Sequence, residues 1–221
     1  MNLSHACSVH SSGRVAETPV VFVVDPDPAV GDALDALIRS AGCKPRALAS
    51  AEEFLEAPRT LTASCLLLEL DLPGLSGLDL QRLVADRPQM PVIFMSRRAD
   101  IQATVRAMKG GAFEFLIKPC PPEVLIDAVC GAIERSHAAL RHQAQMLALQ
   151  TRYDSLSRRE REVMRLLVCG RLNKQVGGEL GISEITVKAH RGKMMRKMQA
   201  SSFAELVTMA TTLRQATLAL Q

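Results

Sequence analysis

The chain has 221 residues, 48% of them apolar and 23% charged, with a net charge of +4. This length suits two modest domains, each with its own core, and no apolar run approaches the roughly 20 residues of a membrane span. Trp is absent and Tyr153 is the single tyrosine, so the cores must be built from Leu, Val, Ile, Ala and Met.

Residues 1–18 are rich in Ser and His and lack the apolar segment of a secretion signal, which predicts a disordered tail and a cytoplasmic location. The six cysteines (Cys7, Cys43, Cys65, Cys120, Cys130, Cys169) are scattered without a CxxC pair. Reduced thiols serving as small core hydrophobes are expected.

Val20–Val24 is a short β-branched run ending at Asp25-Pro26-Asp27-Pro28, the pattern of a buried strand followed by an acidic loop. Val30, Leu34, Leu37, Ile38 and Ala41 recur at helical spacing, and Gly42 stops that helix. Arg46–Ala49 reads as a second strand. Ser50-Ala51-Glu52-Glu53 is a capping-box pattern opening a second helix. Cys65–Leu70 is the third strand, Leu78–Ala85 the third helix, Val92–Met95 the fourth strand, Ile101–Lys109 the fourth helix and Phe113–Ile117 the fifth strand. The alternation predicts an α/β doubly wound, five-stranded parallel sheet of flavodoxin-like type. Chemistry then belongs at the C-terminal strand ends, where Asp25, Glu69, Ser96 and Lys118 lie.

A helix starts at Glu123 and meets no breaker before Thr151. Ile126, Ile133, Leu140 and Leu147 recur every seven residues, which suits a seam pairing with a second copy. The alternative is packing on its own domain as far as His137, followed by a polar linker. Beyond residue 155 the pattern is helical throughout. Ser157-Arg158-Arg159-Glu160 is a second capping box. Asn173 is expected to cap a short helix containing Val176 and Leu180, and Ser183 to cap the next, with Ile185, Val187, Met194, Met195 and Met198 facing inward. Ser202 opens a fourth helix. Two short helices joined at Gly181 form a helix-turn-helix pattern. Residues 151–221 hold 13 Lys/Arg against 6 Asp/Glu, a balance of +7, which favours a polyanionic partner for this half.

Leu156-Ser157-Arg158-Arg159-Glu160-Arg161-Glu162-Val163, Gly170, Asn173-Lys174, Leu180-Gly181-Ile182-Ser183, Thr186-Val187-Lys188, His190 and Lys197-Met198 resemble the LuxR-type helix-turn-helix. The run Leu66–Gly77, with Asp25, Ser96 and Lys118-Pro119, resembles a response-regulator receiver. Together they resemble response regulators of the FixJ/NarL class. The domain boundaries that follow are a receiver-like domain at 19–137, a linker helix at 138–153 and a DNA-binding domain at 154–221. The resemblance implies double-stranded DNA as ligand, a homodimer, RNA polymerase as a further partner, and no enzyme activity. It leaves a histidine kinase open. The third helix is expected to expose Glu184, Lys188 and Arg191, with Thr186 as a further candidate, and to bring its N-terminal residues to base edges, with Ser183 as its cap. Asn173, Lys174, Lys193, Arg196 and Lys197 fall to phosphate-facing positions, and His190 to packing or phosphate.

The receiver departs from its relatives at two places. The family's phosphorylated aspartate is Glu69 here, and the second acid after strand one is Pro26. Ser96 and Lys118, which match the phosphate-contacting pair, remain, and Phe115 matches the aromatic switch. Phosphorylation is therefore expected to be very slow or absent. Mg²⁺ should not be a cofactor. A weak site at Asp25 and Glu69, helped by Asp27, is the alternative. Glu69 beside Lys118 then stands either as a mimic of the phosphorylated state or as an inert ion pair. Gly177-Gly178 lies where the family usually has an alanine, which predicts a less stable scaffold helix.

Overall fold

The computed structural model describes residues 17–97 and 100–218, in two compact units that meet between Arg141 and His142. Cys7 and most of the predicted tail lie outside the described residues. The first unit carries β1 (Val20–Val24), α1 (Pro28–Ser40), β2 (Lys44–Leu48), α2 (Ala51–Glu56), β3 (Ser64–Glu69), α3 (Gly77–Leu83), β4 (Val92–Ser96), α4 (Ile101–Lys109), β5 (Glu114–Ile117) and the beginning of α5 (Pro122–Asp154). All neighbouring strands run parallel, in the order β2-β1-β3-β4-β5. The doubly wound sheet expected from the alternation is the observed fold.

Side-chain alternation divides the central strands between two apolar layers. Phe22, Val24, Leu66, Leu68 and Phe94 point to one face, where Phe54, Leu80, Val84, Ala103 and Ala107 of the α2–α4 side cover them. Val21, Val23, Cys65, Leu67, Ile93 and Met95 point to the other, against Leu34 and Ile38 of α1 and Leu125, Val129 and Ile133 of α5. β3 is buried along its whole length because it has strands on both edges and helices on both faces. The chain reverses its winding between β1 and β3, so the tips of these two strands border the crevice of the sheet.

Cys43, Cys65, Cys120 and Cys169 are free thiols, as expected. Burial pushes the Cys65 thiol far above its ordinary range.

The predicted heptad seam on α5 is split. Ile133 lies in the core of the first unit, whereas Leu147 is 69% exposed. Ser136, a polar intrusion in that seam, is fully buried for a reason of its own. Its hydroxyl accepts from the Ser64 N–H at 2.9 Å and donates to the Gln89 carbonyl. Two loose backbone groups at the lower rim of the sheet are thereby satisfied.

The second unit contains α6 (Arg158–Val168), α7 (Asn173–Leu180), α8 (Glu184–Met198) and α9 (Phe203–Leu218). Leu156, Val163, Met164, Leu167, Val176, Val187, Met194, Met198, Leu206 and Leu213 form its core, and Leu149 and Tyr153 from the end of α5 pack on it. Ser157 and Glu160 close the capping box of α6 as anticipated. The cap of α7 is different. Asn173 is already its first helical residue and Leu172 occupies the cap position, where the Gln175 side chain accepts the Leu172 N–H at 2.9 Å.

The two glycines of α7 separate into two roles. A Cβ on Gly177 would come within 2.7 Å of the Ile182 carbonyl, so the turn into α8 requires its absence. A Cβ on Gly178 would meet nothing within 4 Å. Gly178→Ala should therefore raise the stability of this unit by about 0.8–1 kcal/mol, the difference in helix propensity. Urea unfolding of the full chain, followed by the second unit's transition, checks this.

Glu160 is 3% exposed and receives Lys197 Nζ at 2.7 Å and the Ser157 N–H at 2.8 Å. Burial pushes its carboxyl upward, but the Lys197 and Ser157 contacts outweigh it and hold the group below the ordinary carboxylate range. A depressed folded-state value supplies stability above the unfolded value of about 4.3 and loses it as pH falls through the folded one. Lys197→Met should be less stable than wild type at pH 7, and the gap should narrow below about pH 4. Thermal melts across pH 3–7 read this directly.

Candidate phosphoacceptor crevice and DNA-reading helix

Four strand tips converge at the upper rim of the first unit. Asp25 follows β1, Glu69 ends β3, Ser96 ends β4 and Lys118 follows β5. The β3–β4 register sets Glu69 beside Met95, and Ser96 is the next residue along. Lys118 is anchored by its N–H, which donates to the Ser96 carbonyl at 2.8 Å. Its ammonium reaches back across the sheet. Lys118 Nζ lies 2.5 Å from Glu69 Oε2 and also donates to Asp25 Oδ2. The lysine side chain is 11% exposed and both acids are 9% exposed. Glu69 Oε1 accepts the N–H of Leu70 at 2.8 Å and of Asp71 at 3.3 Å. Asp25 Oδ1 accepts the Asp27 N–H at 2.9 Å.

Asp27 does not join this cluster. Its side chain caps α1 through the Ala29 N–H at 3.1 Å and pairs with Arg97 at 2.8 Å. Arg97 is a contact that the sequence reading did not identify. It follows the fourth strand directly, and that position is its only sequence signal. Ser96 is fully buried at the tip of β4. Phe115 is half-buried against the first apolar layer, with its ring stacked on Phe94 at 6.0 Å and an interplanar angle of 26°. Cys120 is half-buried against the other layer.

These residues do not fit Mg²⁺. That ion requires near-octahedral oxygen ligands. Pro26 offers no carboxylate, and all four oxygens of Asp25 and Glu69 are already engaged by N–H or ammonium donors. Among the described residues no group of three or more His, Cys, Asp or Glu side chains could hold a metal ion.

In the second unit α7, the turn at Gly181 and α8 form the helix-turn-helix. Gly181 takes the left-handed conformation that ends α7, with φ of 64°. Ser183 caps α8 by accepting the Thr186 N–H at 3.1 Å, and its hydroxyl also meets the Thr186 hydroxyl at 2.8 Å. Val187, Met194 and Met198 face inward as expected. Ile185 does not. It is 79% exposed, because the core positions of α8 fall at 187, 194 and 198 and leave 185 on the opposite side.

The expected DNA-facing residues also divide. Lys174, Lys188, Lys193 and Arg196 are exposed, and Lys188 is held by Glu184 at 3.0 Å. Asn173, Thr186 and His190 are half-buried. Arg191 is half-buried, with its guanidinium 5.0 Å from the Phe203 ring centroid. Lys197 is also exposed, and its ammonium bonds Glu160 at 2.7 Å and the Ser155 carbonyl at 3.1 Å.

Residues 21–130 match the response regulator receiver domain, and residues 154–210 match the bacterial regulatory proteins of the luxR family. Nodulation protein W of Bradyrhizobium diazoefficiens is 45% identical over 195 residues, covering 88% of this chain and 86% of that one. The transcriptional regulatory protein FixJ of the same organism is 36% identical, covering 86% and 93%. The solved structure of response regulator StyR shares 39% identity over 89% of this chain and all of that one, with a TM-score of 0.79. No helix among the described residues is long and apolar enough to cross a membrane. With both halves matched in order and relatives aligned over most of their length, the chain belongs to the two-component response regulators that join a receiver domain to a LuxR-type DNA-binding domain.

Proposed function

We propose that this response regulator binds double-stranded DNA as a homodimer and controls transcription without being phosphorylated. In this reading Glu69 stands in for a phosphorylated aspartate and keeps the receiver in one setting. The observation that carries it is the 2.5 Å contact between Glu69 Oε2 and the buried ammonium of Lys118. A carboxylate one methylene longer than aspartate satisfies the lysine that otherwise awaits a phosphoryl group. The inward Phe115 ring accords with the same setting. Among the described residues no group of three metal-binding side chains gathers in the crevice, and phosphoryl transfer relies on positioning and metal neutralisation. Relatives that are transcriptional regulatory proteins support the DNA-linked role, and in this reading RNA polymerase is the downstream partner.

One observation favours a second reading, an inert ion cluster with no signalling role. Lys118 is shared with Asp25, so Glu69 is not its sole partner. The experiment compares DNA affinity of wild type and Glu69→Asp, with and without a small phosphodonor and Mg²⁺. Under the proposal, wild type binds at full affinity and ignores the phosphodonor, while Glu69→Asp binds more weakly. Equal affinity of the two proteins points to the inert cluster. Stoichiometric phosphate on the wild-type receiver would refute both.

A further inference from the structure

The outer face of α8 carries one large apolar side chain where solvent should favour a polar one. Ile185 is 79% exposed, although Val187, two residues on, is fully buried. Among the described residues no core cluster includes Ile185, and the second turn of the helix provides no apolar neighbour that could shelter it. Its neighbours at helical spacing are Lys188, Ala189, Gly192 and Arg196, all exposed. A Cβ on Gly192 would meet nothing within 4 Å, so no contact inside the unit explains that glycine. Ala189 and Gly192 therefore leave the middle of this face low, and cations flank it.

Arg191, the residue expected to reach bases, lies over Phe203 instead. Ser183 is committed to the cap. The side chains left to project from the first turn are Glu184 and Ile185, with Lys188 one turn on. In a major groove, an apolar side chain at such a position has one chemical match among base edges, the C5-methyl group of thymine.

We infer that Ile185 is a specificity-determining residue that reads a thymine methyl group in the major groove. The inference rests on the DNA-binding reading above and names what that helix recognises. A methyl contact carries no charge, so it contributes to sequence choice and leaves the phosphate contacts untouched.

The test begins with a fragment selected by the full-length wild-type protein from a genomic library. Each thymine is then replaced singly by deoxyuridine, which removes only the methyl group. Wild type should lose about fourfold in affinity at one thymine of each half-site, the worth of one buried methyl. Ile185→Ala should bind the parent fragment more weakly, show no further loss at that thymine, and keep the wild-type salt slope. It should also melt with wild type, since the residue is exposed. Equal sensitivity of wild type and Ile185→Ala at every thymine, or no sensitive thymine at all, overturns the assignment while leaving DNA binding intact. Failure of the wild type to select any fragment removes the DNA-binding reading and this inference with it.

Discussion

Lys118→Met should destabilise the receiver unit by about 3–5 kcal/mol, because it removes the one cation that, among the described residues, pairs with two buried carboxylates. Asp25 and Glu69 both direct an oxygen at Lys118 Nζ, and neither is more than 9% exposed. Arg97 does not substitute, since its guanidinium is 70% exposed and holds Asp27. Urea unfolding gives the single-variant value. Adding Glu69→Leu should recover a substantial part of the loss, so the two substitutions together should cost less than their sum by more than about 1 kcal/mol. Strict additivity would mean that the ammonium and Glu69 are not coupled as the geometry requires.

Gly77→Ala should be the second large effect, a loss of about 3 kcal/mol at the upper end of overpacking costs. Its Cβ would lie 2.4 Å from the Glu69 carbonyl and 3.1 Å from that of Leu70. Both are backbone atoms, so no rotamer relieves the overlap and the loop after β3 must open. The Gly77 N–H bond to the Leu70 carbonyl, 3.1 Å, would be strained with it. Because Glu69 is itself displaced, the variant should also weaken the Glu69–Lys118 contact. Gly178→Ala provides the opposite sign in the same chain, and unfolding curves of the two variants separate steric need from helix propensity.

The crevice was legible in the sequence because strand ends are easy to read. An apolar run that stops at a charge marks the rim of a parallel sheet, and Asp25, Glu69, Ser96 and Lys118 each sit at such a stop. Strand and helix limits shifted by a residue or two: β2 begins at Lys44 and α3 at Gly77. Contacts between distant residues were harder to read. Nothing in Asp27 distinguishes a metal ligand from a helix cap, and the capping bond decided it. Ile185 reads as inward because apolar residues count toward a core. α8 has so many methionines that several apolar stripes compete, and only the packing of 187, 194 and 198 selects one. Ser136 interrupts the apolar heptad, and the reason is not local: its two backbone partners lie 72 and 47 residues away.

That serine makes the amide of Ser64 a gauge. Its proton is shut away from solvent by a hydroxyl that belongs to α5, not by a neighbouring strand. Deuterium can replace it only when the long helix lifts from the lower rim of the sheet. The exchange rate at one position therefore clocks the detachment of α5, and a Ser136→Ala chain should run that clock faster.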